Sequence, residues 1–297
     1  MAAQASGGDH NKNNQRPLAR LAPEVTLDLL LIVELVLLGI CSGFLAGLLG
    51  IGGGMVMVPF ISYFLGARGV SPELGVKMAI ATSMATIMFT SLSSVRAHHK
   101  RGAVRWDLVR SLAPGIVVGS LLASLGVFSL LKGSWLAILF ALFVGFSATQ
   151  MFRNTKPQPS RQLPDGAGRF GAGAGIGFLS GLVGAGGGFI SVPFMVWCNV
   201  AMHNAVATSA ALGFPIAVAN VAGYVVSGLG VTDLPAGSLG YLWLPALAVI
   251  AVCSVFTAPI GARAAHALPV AALKKVFAGV LYLLAAYMLQ KGIVALL

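Results

Sequence analysis

From residue 27 onward the chain alternates long apolar runs with short polar segments. The runs approach the roughly 20 residues that a helix needs to cross the hydrocarbon of a bilayer. Barrel strands would show strict alternation instead, so helices are predicted. The first run, 27–49, ends at a glycine break and is followed by a piece, 55–65, too short to span. Together they read as a broken or re-entrant element. Helices are then predicted over 76–95, 107–130 and 135–152, and the same plan returns as a broken element over 170–198 and helices over 203–227, 241–265 and 273–290.

The pattern repeats because the sequence does. Gly43 to Phe60 reads GFLAGLLGIGGGMVMVPF and Gly177 to Phe194 reads GFLSGLVGAGGGFISVPF, 134 positions on, with twelve of eighteen positions identical. Each copy is an apolar run cut by three glycines and closed by Val-Pro-Phe. Ala81-Thr82-Ser83 likewise recurs as Ala207-Thr208-Ser209, and Phe140-Ala141 as Phe277-Ala278. The chain divides into a polar, disordered tail (1–26), a first membrane repeat (27–152), a basic cytoplasmic linker (153–169) and a second repeat (170–297). The run after the tail carries Glu34 and continues into the glycine motif, so it reads as an uncleaved helix and not a leader.

Composition fits this picture: 57% of residues are hydrophobic and only 9% charged, against roughly 25% charged in soluble domains. The net charge of +11 is explained by position. Cations gather in the tail, in Arg96 to Arg110, in the linker and in Arg263 to Lys275, as the positive-inside rule expects of cytoplasmic ends, so no nucleic-acid partner is implied.

Charge also sets the relation between the halves. The loop after the Thr-Ser helix holds Arg96, Lys100, Arg101 and Arg105 in the first half, whereas its counterpart, 227–240, has no cation and carries Asp233. Corresponding loops therefore face opposite sides, the signature of inverted repeats. The expectation is an all-α polytopic membrane protein of two inverted-topology repeats, each a glycine-broken (re-entrant or half-helix) element followed by three transmembrane helices. The amino terminus then lies outside, against the preference of Lys12, Arg16 and Arg20.

Backbone broken at membrane depth survives only inside protein or beside a watery cavity. Where a helix restarts after the break, its first amides and positive dipole end attract an anion without any cation. Gly50, Gly52, Gly53, Gly54, Gly184, Gly186, Gly187 and Gly188 are therefore candidate substrate contacts, while scattered glycines such as Gly119 and Gly145 read as packing positions. Thr82, Ser83, Thr208 and Ser209 offer hydroxyl donors for an oxyanion, unless they bond back to their own helix. Thr86, Thr90 and Asn220 lack matching partners and are weaker candidates. Glu34, the carboxylate well inside an apolar run, is a proton-coupling candidate or an interfacial residue. Lys77 and Arg110 are expected to snorkel to the surface, His98 and His99 to be solvated, and His203 is an unsupported ligand contact. Cys41, Cys198 and Cys253 read as small buried residues. No catalytic residue, cofactor or metal site is predicted: the glycines lack a following Lys-Ser/Thr, and no His, Asp or Glu pair sits at membrane depth.

The paired Gly-x-Gly-Gly-Gly segments with Val-Pro, the Ala-Thr-Ser turns and the stretch His98 to Trp106 (HHKRGAVRW) resemble the TauE/SafE sulfite exporter family, over nearly all of the chain after the tail. The resemblance implies a multi-pass inner-membrane transporter of small sulfur-containing or organic anions such as sulfite and sulfonates, often in export. It carries no assigned residue roles. The competing readings are an anion channel, an intramembrane enzyme and an accessory subunit. The oligomeric state stays open, a homo-oligomer included.

Overall fold

A backbone in lipid must satisfy its own hydrogen bonds, and this chain does so with helices. The computed structural model describes residues 28–49, 53–153, 161–264 and 270–297; the polar tail and residues 154–160 of the linker lie outside them. The order is α1 (Leu29–Leu49), α2 (Gly54–Ala67), α3 (Pro72–His99), α4 (Trp106–Leu130, with a π-helical stretch at Leu122–Val127), α5 (Gly133–Arg153), α6 (Gly166–Val183), α7 (Gly188–Trp197), α8 (Met202–Gly228), the hairpin β1 (Ser238–Leu239) and β2 (Leu242–Trp243), α9 (Leu244–Ala264) and α10 (Val270–Val294). Seven helices among the described residues are long and apolar enough to cross a membrane: α1, α3, α4, α5, α8, α9 and α10. At 14 residues, α2 is about 21 Å long, short of a span; α7 is shorter still.

Most expected elements are present within a few residues, but α3 starts earlier than the apolar pattern implied. Ser71 caps it by accepting the Leu74 amide (3.4 Å), and Pro72 occupies the first turn, where its missing N–H leaves nothing unpaired. It also runs on to His99, so part of the expected basic loop is helix. There His98 lies on the inward face with Ser91 and Ser94 and is buried, contrary to the expectation of solvation. His99 accepts from the Trp106 indole at its Nδ1 (3.1 Å).

The helices pack in reciprocal pairs. α3 and α8 cross at the centre and are the most deeply buried of the spanning helices; α1 packs on α9, α4 on α6, and α5 on α10. The α1–α9 and α4–α6 seams are built alike. Gly39, Gly43 and Gly47 of α1 lie one turn apart against Ile250, Ser254 and Ala258, and a Cβ at Gly43 would lie 2.5 Å from Ser254 Cα. Exactly as many residues on as in the sequence repeat, Gly173, Gly177 and Gly181 of α6 face Leu112, Ile116 and Ala123 of α4. Such stripes let backbones approach closely where lipid gives helices no hydrophobic reason to associate. Gly119 belongs to the α4–α6 seam, against Ala174, whereas nothing lies within 4 Å of a Cβ at Gly145.

Two contacts fix which ends coincide. Arg101 donates to the Ala262 carbonyl (3.3 Å), placing the basic loop at the end of α9. Arg68 pairs with Asp28 (3.0 Å), placing the start of α1 beside the end of α2, at the opposite end of the bundle. Lys77 folds inward instead of snorkelling, with its Nζ donating to the Ser129 carbonyl (3.1 Å), whereas Arg110 is exposed. The cysteines are free; Cys198 is buried, Cys253 half-buried, and Cys41, contrary to expectation, exposed on α1.

Candidate functional site

The two glycine breaks come together. Gly53 and Gly187 are left-handed N-caps of α2 and α7 (φ 70° and 76°), and Gly184 and Gly186 are left-handed as well (φ 72° and 70°). A side chain there would add about 1–2 kcal/mol of backbone strain per residue, which accounts for glycine at these turns. Gly54, the first residue of α2, abuts the Gly184 carbonyl, and a Cβ on it would lie 3.0 Å from Ala185 Cα. Gly188 opens α7. Gly50 and Gly52 lie outside the described residues.

Depth follows from the neighbours. A Cβ at Gly53 would lie 2.7 Å from the Ser42 carbonyl oxygen, and the adjoining Gly43 faces Ser254, half-way along α9. The breaks therefore sit level with the middle of a spanning helix. By helix geometry the first N–H groups of α2 and α7 have no intrahelical partner, and both dipoles direct positive ends toward the breaks.

The Thr-Ser pairs divide into two jobs. Thr82 Oγ1 accepts the Trp243 amide (3.0 Å) and Thr208 Oγ1 accepts the Arg105 amide (3.0 Å). Each threonine thus ties its helix to the segment leading into a spanning helix of the other half, α9 or α4. The serines point to the breaks: Ser83 donates to the Gly184 carbonyl (3.2 Å), and Ser191 of α7 donates to Ser209 (2.8 Å). All four Thr and Ser residues are buried. Thr86 and Thr90 bond back to the carbonyls of Thr82 and Thr86. Asn220 bonds back to the Ile216 carbonyl (2.8 Å) through its Nδ2.

Beside the second break is a cavity of about 20 Å³, lined by Ala46, Ile87, Thr90, Ser91, Ser94, Gly186, Ser209, Ala210 and Gly213. That is room for about one water molecule. Ser94 Oγ is buried there without a hydrogen-bond partner among the described residues. None of the lining side chains is charged. Ser91, Ser94 and Ser191 were missed by sequence reasoning. Ser191 had a signal: it replaces Met57 of the first copy, one of two serines, with Ser180, that the second copy has in place of apolar residues. Ser91 and Ser94 lie two to three turns beyond the matched Thr-Ser pair, where the halves no longer align.

Glu34 is half-buried on α1 and stands apart, eight residues before Ser42 or about 12 Å along the helix. His203 is exposed at the start of α8. Among the described residues no three His, Cys, Asp or Glu side chains gather as a metal site would require.

Comparison with known proteins agrees in extent with the folded region. The family described as sulfite exporter TauE/SafE matches residues 35–288. A probable membrane transporter protein of Haemophilus influenzae is 38% identical over 257 residues, covering 86% of this chain and 97% of that one. One of Methanocaldococcus jannaschii is 27% identical over 238 residues, covering 79% and 86%. A third, from Bacillus subtilis, is 29% identical over 216 residues, covering 66% and 79%. No solved structure matches the chain.

Proposed function

Because the chain belongs to the TauE/SafE family of membrane transporters, we propose that it exports a small sulfur-containing or organic anion, such as sulfite or a sulfonate, across the inner membrane. The observation that carries this reading is the meeting of two glycine breaks at mid-depth. Gly54 of α2 meets the Gly184 carbonyl there, Ser83 donates to that carbonyl, and the adjoining cavity, whose wall includes Gly186 and Ser209, carries no charged side chain. Such a site holds an anion by amides and dipoles, tightly enough for recognition and loosely enough for release. Gly53, Gly54, Gly184, Gly186, Gly187 and Gly188 are its backbone contacts.

The exchange of partners between the halves, α1 on α9 as α6 on α4, and Thr82 to Trp243 as Thr208 to Arg105, supports inverted repeats. Transport then proceeds by rocking of the halves about the breaks. Export of a monoanion from a negative interior is favourable by about 2.3 kcal/mol per 100 mV, so proton coupling is not required. If protons are used, Glu34 is the group that carries them, and Glu34→Gln abolishes the pH dependence of flux.

Purified protein in liposomes tests the reading. With sulfite, sulfoacetate, taurine, thiosulfate and sulfate as probes, saturable uptake of one anion and its counterflow are expected. Flux that rises linearly without counterflow would identify an anion channel instead.

A further inference from the structure

At the end of the bundle opposite the basic loop, a pocket of about 290 Å³ opens among α3, the end of α4 and the segment before α9. Lys77 lies in its wall, half-buried, with Lys132 and Asp233 exposed at the rim. The Lys77 ammonium donates to the Ser129 carbonyl and sits 5.8 Å and 5.5 Å from the ring centroids of Phe128 and Tyr241. One of its three N–H groups is thus engaged. No carboxylate pairs with it directly: the ion pairs among the described residues are Arg68 with Asp28 and Arg105 with Asp107, and the pocket's Glu73 and Asp233 act on it only through space. Glu73, one turn away, points its two oxygens at the Ser134 amide (3.3 Å each). A half-buried cation with one N–H engaged and no carboxylate in direct contact, beside a second lysine in a pocket with room for an oxyanion and its water, is a place for a negative charge.

The position on α3 gives the pocket its meaning. Lys77 precedes Thr82 and Ser83 by five and six residues, about 7.5–9 Å along the helix. What separates them is the hairpin: Tyr241 forms part of the pocket wall and bonds the Tyr224 carbonyl through its amide (3.3 Å), and two residues on, the Trp243 amide bonds Thr82. The sequence offset that carries Thr82-Ser83 to Thr208-Ser209 carries Lys77 to His203, which is exposed at the other end. The half-buried Lys77 therefore has no counterpart at the matching position of the second half.

We propose that this pocket is a second, outer anion site. There the Lys77 ammonium holds the anionic head of the transported molecule on its passage between the outer face and the central breaks, with the hairpin as the partition between the two. This rests on the transport reading above and names a residue that contacts the anion.

The test uses the full-length protein reconstituted in one orientation, with sulfite, sulfoacetate, thiosulfate and sulfate as probes applied from either side. Loss of a charge-assisted hydrogen bond in Lys77→Gln should raise the outer-side KM by about tenfold or more, with maximal rate and inner-side KM little changed. Lys77→Arg should restore the outer KM. Removing a rim carboxylate, Asp233→Asn, should lower it, which keeps the proposal open to refutation even if Lys77→Gln does not fold. An outer KM indifferent to both substitutions, or KM changes equal from both sides and tracking a fall in melting temperature, would assign Lys77 a packing role and overturn the proposal. Saturable flux indifferent to Lys77 sinks this inference alone; a wild-type protein that carries none of the anions sinks the transport reading with it.

Discussion

Threonine and serine, adjacent in both halves, illustrate how little residue type says about role. Thr82 and Thr208 each satisfy a backbone amide from the opposite half, whereas Ser83 donates to the broken backbone and Ser209 accepts from the Ser191 hydroxyl of α7. Thr82→Val should leave the Trp243 amide unpaired in a buried place and lower stability by about 1–3 kcal/mol, with Thr82→Ser close to wild type, measurable as melting temperature in detergent. A different prediction follows from Asp28. The hydrogen bond from Arg68 holds its carboxyl below the usual carboxylate range. A lowered folded-state pKa contributes stability that is present above the unfolded pKa and lost as pH falls through the folded one. That window lies wholly in acid, so Asp28→Asn should change stability by the same small amount at every pH from 5 to 8. A difference that varies across that range would show the pair to be wrongly described.

Single elements are held by close approach more than by side-chain bulk. The glycine seams of α1 on α9 and α6 on α4 leave no space for a Cβ, which at Gly47 and Gly173 would meet backbone and at Gly181 the side chains of Asn220 and Ala123. Gly43→Leu should destabilise the protein by about 1–3 kcal/mol or more through overpacking, while Gly145→Ala, facing open space, should be neutral; parallel thermal melts of the two variants decide. Apolar run lengths made the helices legible in the sequence, and the triple glycines marked the breaks. Helix ends were less legible, since the Ser71-Pro72 cap extends α3 into a stretch whose polarity read as loop. The inward turn of Lys77 was not legible at all. It depends on Phe128 and Tyr241, from α4 and from the segment leading into α9, converging on one ammonium, which no local pattern encodes.

At the scale of the whole molecule, the repeat in sequence foretold two comparable breaks, and the fold brings Gly54 against Gly184. What the repeat did not reveal is the trading of partners between halves, because the contacts responsible join positions more than 100 residues apart, such as Arg105 with Thr208. Nor did it reveal the polar wall of Ser91 and Ser94, which lies where the two copies have diverged. The central claim, that the paired breaks form the transport site, is tested most directly by anion flux into liposomes for the wild type, for Gly53→Leu with Gly187→Leu, and for the milder Ser83→Ala with Ser209→Ala. Helical circular dichroism and melting temperature serve as folding controls. The account predicts saturable flux of one anion in the wild type, abolished by the glycine pair and weakened by the serine pair in protein that remains folded. Wild-type flux in both folded double variants would contradict it.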